Sequence, residues 1–487
     1  LYMCGITGII SKNGINEEIN YDLYESLLNI QHRGQDACGY VVNYQHNIEI
    51  FKGNGLVKNT IDFNKLISID TEIAIGHTRY PTTNDKSKDE NQPFSLKTKY
   101  GLNISIVHNG NLYDYQHIKF NLKNDGYEFT SNSDTETMLF YICDKIDKHL
   151  MEEGIDVNSK IFLDFLDLGS YDIIFDNIII KTIKDVIETF KGAYSILLLI
   201  NNYGLICFRD KYGIRPLCYG ENDKNILISS ESISLDILNY KNMTDIDKRM
   251  IFKKDGKVIE KTYDFNLTPC IFEYIYLARP ETTINKISVY QARINMGFYL
   301  AKNLKRNLVN ELNEVNAIIP VPDSSLIAST KLAEELDIPL KFGIIKNRYI
   351  DRTFIMKNQK ERKNNIKRKL FIVKQEVYNK NIIVVDDSIV RGNTSKHIIN
   401  ELRLYGAKKI YFVSCSPQIK YKNLYGIDLP KQQDLIAYNR NDDEIAQELG
   451  ADKVIYLDIE DLKSSLYTIN SNIDNFELSV FNGKYIS

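Results

Sequence analysis

IIVVDDSIVRGNTS, residues 382–395, decides how the second half of the chain is read. Four apolar residues run into two acids and then a small, hydroxyl-rich loop, the pattern of a buried strand that ends in a phosphate cradle. The backbone N–H groups of Arg391 to Thr394, through Gly392, and the hydroxyls of Thr394 and Ser395 at the start of a helix suit a phosphate monoester. Asp386 and Asp387 are placed for the hydroxyls of a phosphorylated ribose and an associated Mg²⁺. A lone pair of acids in this position is more often a solvated strand end. The complete signature is what points to a ligand.

Outward from this stretch, apolar strands followed by helices recur beyond about Leu300. AIIPVPDSS precedes a helix expected over Leu326 to Leu336, IIVVDDS precedes one over Ser395 to Tyr405, and KIYFVSCSP follows. Such alternation implies right-handed crossovers and a parallel sheet, with ligands beyond the carboxyl ends of its strands. Before about Asp210 the texture is that of an α+β region. Short strands (GITGII, ACGYVVNY, IAIGHTRY, ISIVHNGNL, AYSILLLI, GLICFRD) are interleaved with helices expected over Tyr21 to Gln31 and Thr135 to Lys148. FEYIYLARPETTINKISVYQARINMG (Phe272 to Gly297) reads as a packed segment between the halves, and Met151 to Lys191 has no clear assignment.

Length and composition agree with two domains. The 487 residues are 43% hydrophobic and 26% charged, with a net charge of −3 that gives no electrostatic reason for a nucleic-acid or membrane partner. No run approaches the roughly 20 apolar residues of a membrane span, and no secretory signal is visible. The seven cysteines (Cys4, Cys38, Cys143, Cys207, Cys218, Cys270, Cys415) are scattered without CxxC spacing, which fits a reducing cytoplasmic setting.

The front half carries nucleophile chemistry. If translation begins at Met3, its removal exposes Cys4, whose own α-amine can take the thiol proton; with Leu1 to Met3 retained, that amine is blocked. Arg79 in GHTRYPT offers a planar fork for a carboxylate. Asn109 and the Gly110 N–H in HNGNL offer donors to an oxyanion. Asp134 in SNSDTE can hold an ammonium group. Each motif alone is weak, since HNG is a common turn and SDTE a common helix start in which Asp134 or Ser133 caps. His77 and His108 sit near strand ends, where structural roles are the commoner ones.

Taken together and after MCGI, with HRGQD, these motifs resemble the class II glutamine amidotransferases, whose glutaminase domain is an N-terminal nucleophile hydrolase. The resemblance implies a four-layer α/β/β/α sandwich, Cys4 as nucleophile, Asn109 and Gly110 as oxyanion hole, and Arg79, Tyr80, Thr82 and Asp134 as the glutamine-binding set. The 382–395 stretch resembles the PRPP motif of type I phosphoribosyltransferases. PVPDSS (Pro320 to Ser325) resembles their pyrophosphate loop, which implies that Asp323, Ser324, Ser325 and Ser388 join Asp386, Asp387, Arg391, Gly392, Thr394 and Ser395 at PRPP. It also implies that Ser324, Asp386 and Asp387 contact the metal.

Residues 346–370 carry ten Lys or Arg against two acids. By composition this is a solvated surface, and by position it resembles a loop that closes over PRPP and brings Lys346 and Arg348 to the diphosphate. Continuous similarity from Met3 to Tyr485 (KGAYS, FRDKYGIRPL, SSESISLD, YGIDLP, SVFNGKYI) extends the resemblance to the glutamine PRPP amidotransferase family. That implies a glutaminase domain over 4–262, a phosphoribosyltransferase domain over 263–487, and synthesis of 5-phosphoribosylamine at the first committed step of purine synthesis. It further implies an ammonia channel walled by Tyr80, a tyrosine of FEYIY and Ile355, purine-nucleotide feedback, and a dimeric or tetrameric homo-oligomer. Mg²⁺ is the expected cofactor. Cys270, with Asn423 and Leu424 where a further ligand would lie, implies no iron–sulfur cluster.

Two other readings compete. Fructose-6-phosphate amidotransferases and asparagine synthetases share the front half but have no place for VVDDSIVRGNTS. A regulatory relative that binds PRPP or nucleotides without turnover, or a glutaminase with a dead transferase site, is opposed by the intact Cys4, Arg79, Asn109, Asp134, Asp386 and Asp387.

Overall fold

The computed structural model describes residues 3–44, 47–80, 88–155, 172–253, 256–347 and 370–486. In the front half, two antiparallel sheets lie face to face. One runs Lys241–Asp245, Cys218–Glu221, Asn225–Ser229, Gly5–Ser11, Ile73–Arg79, Ala37–Tyr44, Asn47–Asn54 from edge to edge. The other runs Val258–Lys261, Arg249–Lys253, Gly204–Arg209, Lys191–Ile200, Asn103–Tyr113, Phe94–Lys97.

The run ILLLI shows how the sequence produces the layers. Alternate side chains of a strand leave opposite faces. Leu197 and Leu199 therefore meet Ile6 and Ile75 of the facing sheet, while Ile196, Leu198 and Ile200 pack under helices Asp134–Glu152 and Asp172–Thr189. Helix Glu18–Asn29 covers the outer face of the first sheet with Ile19, Leu23 and Leu27. The result is the expected α/β/β/α sandwich, and full burial of each such Leu or Ile contributes about 1.5–3 kcal/mol. The Asp172–Thr189 helix also gives part of the unassigned 151–191 stretch a role as cover for the second sheet.

The back half is built on four parallel strands in the order Ala317–Pro320, Asn381–Asp386, Lys409–Ser414, Lys453–Tyr456. Helices Val289–Asn307, Leu326–Leu336 and Ile459–Tyr467 cover one face. Asn393–Leu404 and Asp442–Leu449 cover the other. Both expected helices of this half are present, the second beginning two residues early, at Asn393.

The 272–297 segment packs between the halves as expected. A π-helical turn at Glu273–Leu277 and a small hairpin, Thr283–Ile284 with Ile287–Ser288, lead into the 289–307 helix. Phe272, Tyr274 and Ile275 share one apolar cluster with Met3, Ala193 and Ile214 of the front half. The two halves thus bury a common core.

The 289–307 and 326–336 helices approach closely at Gly297, where an added Cβ would lie 2.2 Å from the Ala328 carbonyl oxygen. Since the second helix begins at the PDSS loop, this contact sets the loop's position. Gly297→Ala is expected to destabilise the back half by about 1–3 kcal/mol through overpacking, read as a lower denaturant midpoint; an unchanged midpoint would show that the helices separate freely.

Candidate active sites

The first site lies where the two antiparallel sheets end together. Ile6 and Val107 face each other across the inter-sheet core, so period-two alternation puts Cys4 and Asn109 on those same facing surfaces. Cys4, Arg79, Tyr80, Gly110 and Asp134 line one cavity of about 90 Å³. Thr82 lies outside the described residues.

The Cys4 thiol reaches the Tyr80 carbonyl oxygen at 3.8 Å. Burial raises its pKa against the opposing charge of Arg79, and the thiol rests protonated and needs a base. Arg79 Nη1 donates to Asn91 Oδ1 at 2.9 Å, and Asn91 is itself held by Asn54 at 2.7 Å. Ser133 is the helix cap, its hydroxyl accepting from the Thr135 N–H at 3.3 Å. Asp134, the first helical residue, accepts from the Leu112 N–H at 2.8 Å instead.

The edge of the 103–113 strand sets the direction of the Gly110 N–H. His108 N–H donates to Gln92 Oε1 at 2.7 Å, and Leu112 N–H donates to Asp134. N–H groups two residues apart point to the same side of a strand. The Gly110 N–H therefore points between these two, towards the cavity that Gly110 lines. Gly110 has φ +151°, and a Cβ there would lie 1.9 Å from the Ala193 carbonyl oxygen, so only glycine fits. Asn109 is fully buried, and neither Nδ2 nor Oδ1 has a hydrogen-bond partner among the described residues. Orphaned polar atoms of this kind call for a ligand.

His108 lines the same cavity, and its Nδ1 lies 3.0 Å from the Thr135 hydroxyl. Burial lowers its pKa against the pull of Asp134. His77 is fully buried and burial lowers its pKa to about 3, so it stays neutral at working pH. Gln92, Asn91 and Tyr115 belong to the site or its support and were not anticipated from the sequence. Their positions reflect pairing across strands, which no local pattern encodes.

The second site lies beyond the carboxyl end of the 381–386 strand. Ser324 Oγ hydrogen-bonds Asp387 Oδ2, joining the two loops, and Ser388 Oγ donates to Asp387 Oδ1 at 2.6 Å. Lys346 Nζ pairs with Asp323 at 2.7 Å. Arg391 is exposed on the loop, Gly392 caps the 393–404 helix with φ +75°, and in the first turn of that helix Thr394 is exposed and Ser395 buried. The Ser325 hydroxyl is committed to the Val321 carbonyl at 2.7 Å, which leaves its backbone rather than its side chain for a ligand. Arg348 and Ile355 lie outside the described residues.

Asp386 is buried beside Asp387, and burial followed by that neighbouring charge raises its pKa well above the carboxylate range. A cation here would relieve both causes. Among the described residues no cluster of three or more His, Cys, Asp or Glu is placed to hold a metal, but Mg²⁺ commonly binds through one or two carboxylates with water and phosphate. The pair fits that use.

Between the sites, a cavity of about 230 Å³ is lined by Met3, His32, Arg33, Tyr276, Arg279 and Arg293 among others. Met3 adjoins Cys4. At the other side the buried Arg293 donates to the Tyr274 and Ala278 carbonyls at 3.0 and 2.8 Å, and Asp387 is the strongest charge acting on it.

Comparison with known proteins bears on both sites. Residues 61–153 and 171–236 match glutamine amidotransferase domain models, and 296–425 match a phosphoribosyl transferase domain model. The amidophosphoribosyltransferase of Haemophilus influenzae is 39% identical over all of this chain and 93% of the relative. That of Escherichia coli is 36% identical with the same coverage. The chain belongs to the amidophosphoribosyltransferase family. It is a glutamine-dependent pentosyl transferase of the first step of purine biosynthesis.

Two solved structures superpose over nearly the whole length. Glutamine PRPP amidotransferase from B. subtilis, complexed with ADP and GMP, gives a TM-score of 0.81 at 30% identity, covering 99% of this chain and 97% of that one. A structure described as the allosteric regulatory enzyme of purine biosynthesis gives 0.82 at 31%, covering 99% and 96%.

The neutral, buried His77 has a consequence for stability. Its folded pKa lies below the unfolded value of about 6.5, so the unfolded chain gains a proton first and stability falls as pH drops from about 6.5 towards 3. His77→Gln is expected to lose less stability than the parent between pH 7 and 4. Parallel denaturation curves across that range would show that His77 titrates normally.

Proposed function

We infer that this chain makes 5-phosphoribosylamine, pyrophosphate and glutamate from PRPP, glutamine and water. The observation that carries this reading is the presence, in one chain with a shared core, of a cysteine in a cavity also lined by Arg79, Gly110 and Asp134, and of a strand ending in paired aspartates ahead of a phosphate loop.

In the first half, the Cys4 α-amine, once freed, takes the thiol proton and the sulfur attacks the side-chain carbonyl carbon of glutamine. The oxyanion is held by Asn109 Nδ2 and the Gly110 N–H, removal of one such donor typically costing about 3–4 kcal/mol. Collapse transfers the proton to the leaving nitrogen, releases ammonia and leaves a glutamyl thioester that water hydrolyses to glutamate. Arg79 pairs with the substrate carboxylate and Asp134 with its ammonium group, with Tyr80 and Thr82 completing that binding set.

In the second half, Asp386 and Asp387 with Ser324 would hold a PRPP-bound Mg²⁺, which when bound neutralises the diphosphate leaving group. Arg391, Gly392, Thr394 and Ser395 cradle the 5-phosphate, while Asp323, Ser325, Ser388, Lys346 and Arg348 complete the PRPP site. Ammonia adds to C1 of the ribose as pyrophosphate departs. The cavity lined by Met3, Tyr276 and Arg293 supports a path for ammonia between the sites.

The domain division falls at 262/263, just after the last strand of the second antiparallel sheet. Purine nucleotides act as inhibitors on a homo-oligomer in the cytoplasm; the nucleotide-bound and allosteric relatives support the first part of this. No helix among the described residues is long and apolar enough to cross a membrane.

Two substitutions separate the half-reactions. Cys4→Ala is expected to abolish glutamate formation yet keep pyrophosphate release with ammonium as nitrogen source, and loss of both would refute separable sites. Asp387→Ala is expected to remove pyrophosphate release with either nitrogen source, and an unimpaired variant would take that aspartate out of the site.

A further inference from the structure

The oxyanion strand of the front half is braced by the back half. Asn111 Nδ2 donates to the Leu424 carbonyl at 2.9 Å, across the boundary between the halves. Gly426, with φ +101°, lies against the 110–111 peptide: a Cβ there would be 3.0 Å from the Gly110 carbonyl carbon and oxygen and 3.3 Å from the Asn111 nitrogen.

The bracing segment is itself fixed. Asn423 Oδ1 accepts from the Tyr425 and Ile427 N–H groups at 2.8 and 2.9 Å, and the buried Arg215 Nε donates to the Tyr425 carbonyl at 3.0 Å. The Tyr425 hydroxyl donates to the Ile486 carbonyl at 2.7 Å, while its ring meets Tyr113 edge-on. On its other flank Gly110 is confined by the Ala193 carbonyl. The residue whose N–H points to the oxyanion is therefore held between a strand of its own half and a rigid turn of the other.

We propose that Leu424–Gly426 of the transferase half is a positioning element for the glutaminase oxyanion hole, acting on Gly110 through the Gly426 contact and the Asn111–Leu424 hydrogen bond. This rests on the assignment of Gly110 under the proposed function. It touches neither glutamine nor PRPP. A donor aimed at developing charge is effective only when its position is fixed in advance, and a displacement of tenths of an ångström at the 110–111 peptide is what a Cβ at 426 would impose.

The test compares the parent full-length protein with Gly426→Ala and Asn111→Ala. Three quantities are read: glutamine hydrolysis, ammonium-driven pyrophosphate release, and inhibition by glutamate γ-semialdehyde, whose thiol adduct with Cys4 places an oxyanion in the hole. Gly426→Ala is expected to lower kcat for glutamine about 10- to 100-fold and weaken the aldehyde by a similar factor. KM for glutamine, inhibition by glutamate and the ammonium-driven reaction should stay within about threefold of the parent. Asn111→Ala, which adds no bulk or strain, should move the same readouts in the same direction and decides the matter if Gly426→Ala does not fold. Unchanged aldehyde inhibition in Asn111→Ala, or equal losses with glutamine and ammonium, would overturn the proposal. A parent protein that released no glutamate would instead defeat the assignment of the first site, and that control is read before either variant.

Discussion

The Arg33 guanidinium holds the two halves in register. Its Nε donates to the Cys4 carbonyl at 3.0 Å, its Nη1 to Glu231 at 2.6 Å, and both terminal nitrogens to Glu273 at 3.0 and 2.8 Å. Glu273 opens the turn between the halves and also receives Arg215, whose Nε holds the Tyr425 carbonyl. The side chains of Arg33, Arg215, Glu231 and Glu273 are at most 1% exposed. Burial opposes every charge here, yet Glu273 and Glu231 keep Arg33 firmly protonated, and His32 with Arg33 holds Glu231 well below the carboxylate range. Removing one member of such a cluster leaves a buried charge uncompensated, at a cost of about 3–5 kcal/mol. The backbone of Cys4, the inter-half turn and the brace on the 103–113 strand are thus ends of one ionic cluster.

Around that cluster, ordinary secondary structure supplies the chemistry. A strand edge whose alternate N–H groups are taken by Gln92 and Asp134 leaves the intervening one, on Gly110, directed at the cavity. A parallel strand that ends at Asp386 delivers two carboxylates and a helix N-terminus to the same place. Arg293 lies between, tied to the inter-half turn by two carbonyls and electrostatically to Asp387. The inter-half turn is thus linked to the second site by hydrogen bonds on one side of Arg293 and by charge on the other.

Much of this was legible in the sequence because it is local. Period-two runs such as AYSILLLI and IIVVD announce buried strands, and DDSIVRGNTS carries its loop and helix start within a dozen residues. The resemblance of MCGI, GHTRYPT, HNGNL and SNSDTE brought together residues that the structure places around one cavity. What was not legible is pairwise and distant. Arg33 meets Glu231 and Glu273 across 198 and 240 residues, and nothing in the stretches SSESISLD and FEYIY pairs those glutamates with it. Gly426 could be quoted only as part of YGIDLP, because its reason, the approach to the 110–111 peptide, exists only after both halves have folded. Ser325 shows the opposite limit: a loop match cannot say which hydroxyls are already committed to backbone.

The shared core of the two halves is expected to make the two reactions run as one. Glutamate and pyrophosphate are to be measured together from the purified protein, with Mg²⁺ and glutamine, in the presence and absence of PRPP. Equimolar products that appear only when PRPP is supplied are expected. Glutamate released at the same rate without PRPP, or pyrophosphate formed without matching glutamate, would contradict this expectation.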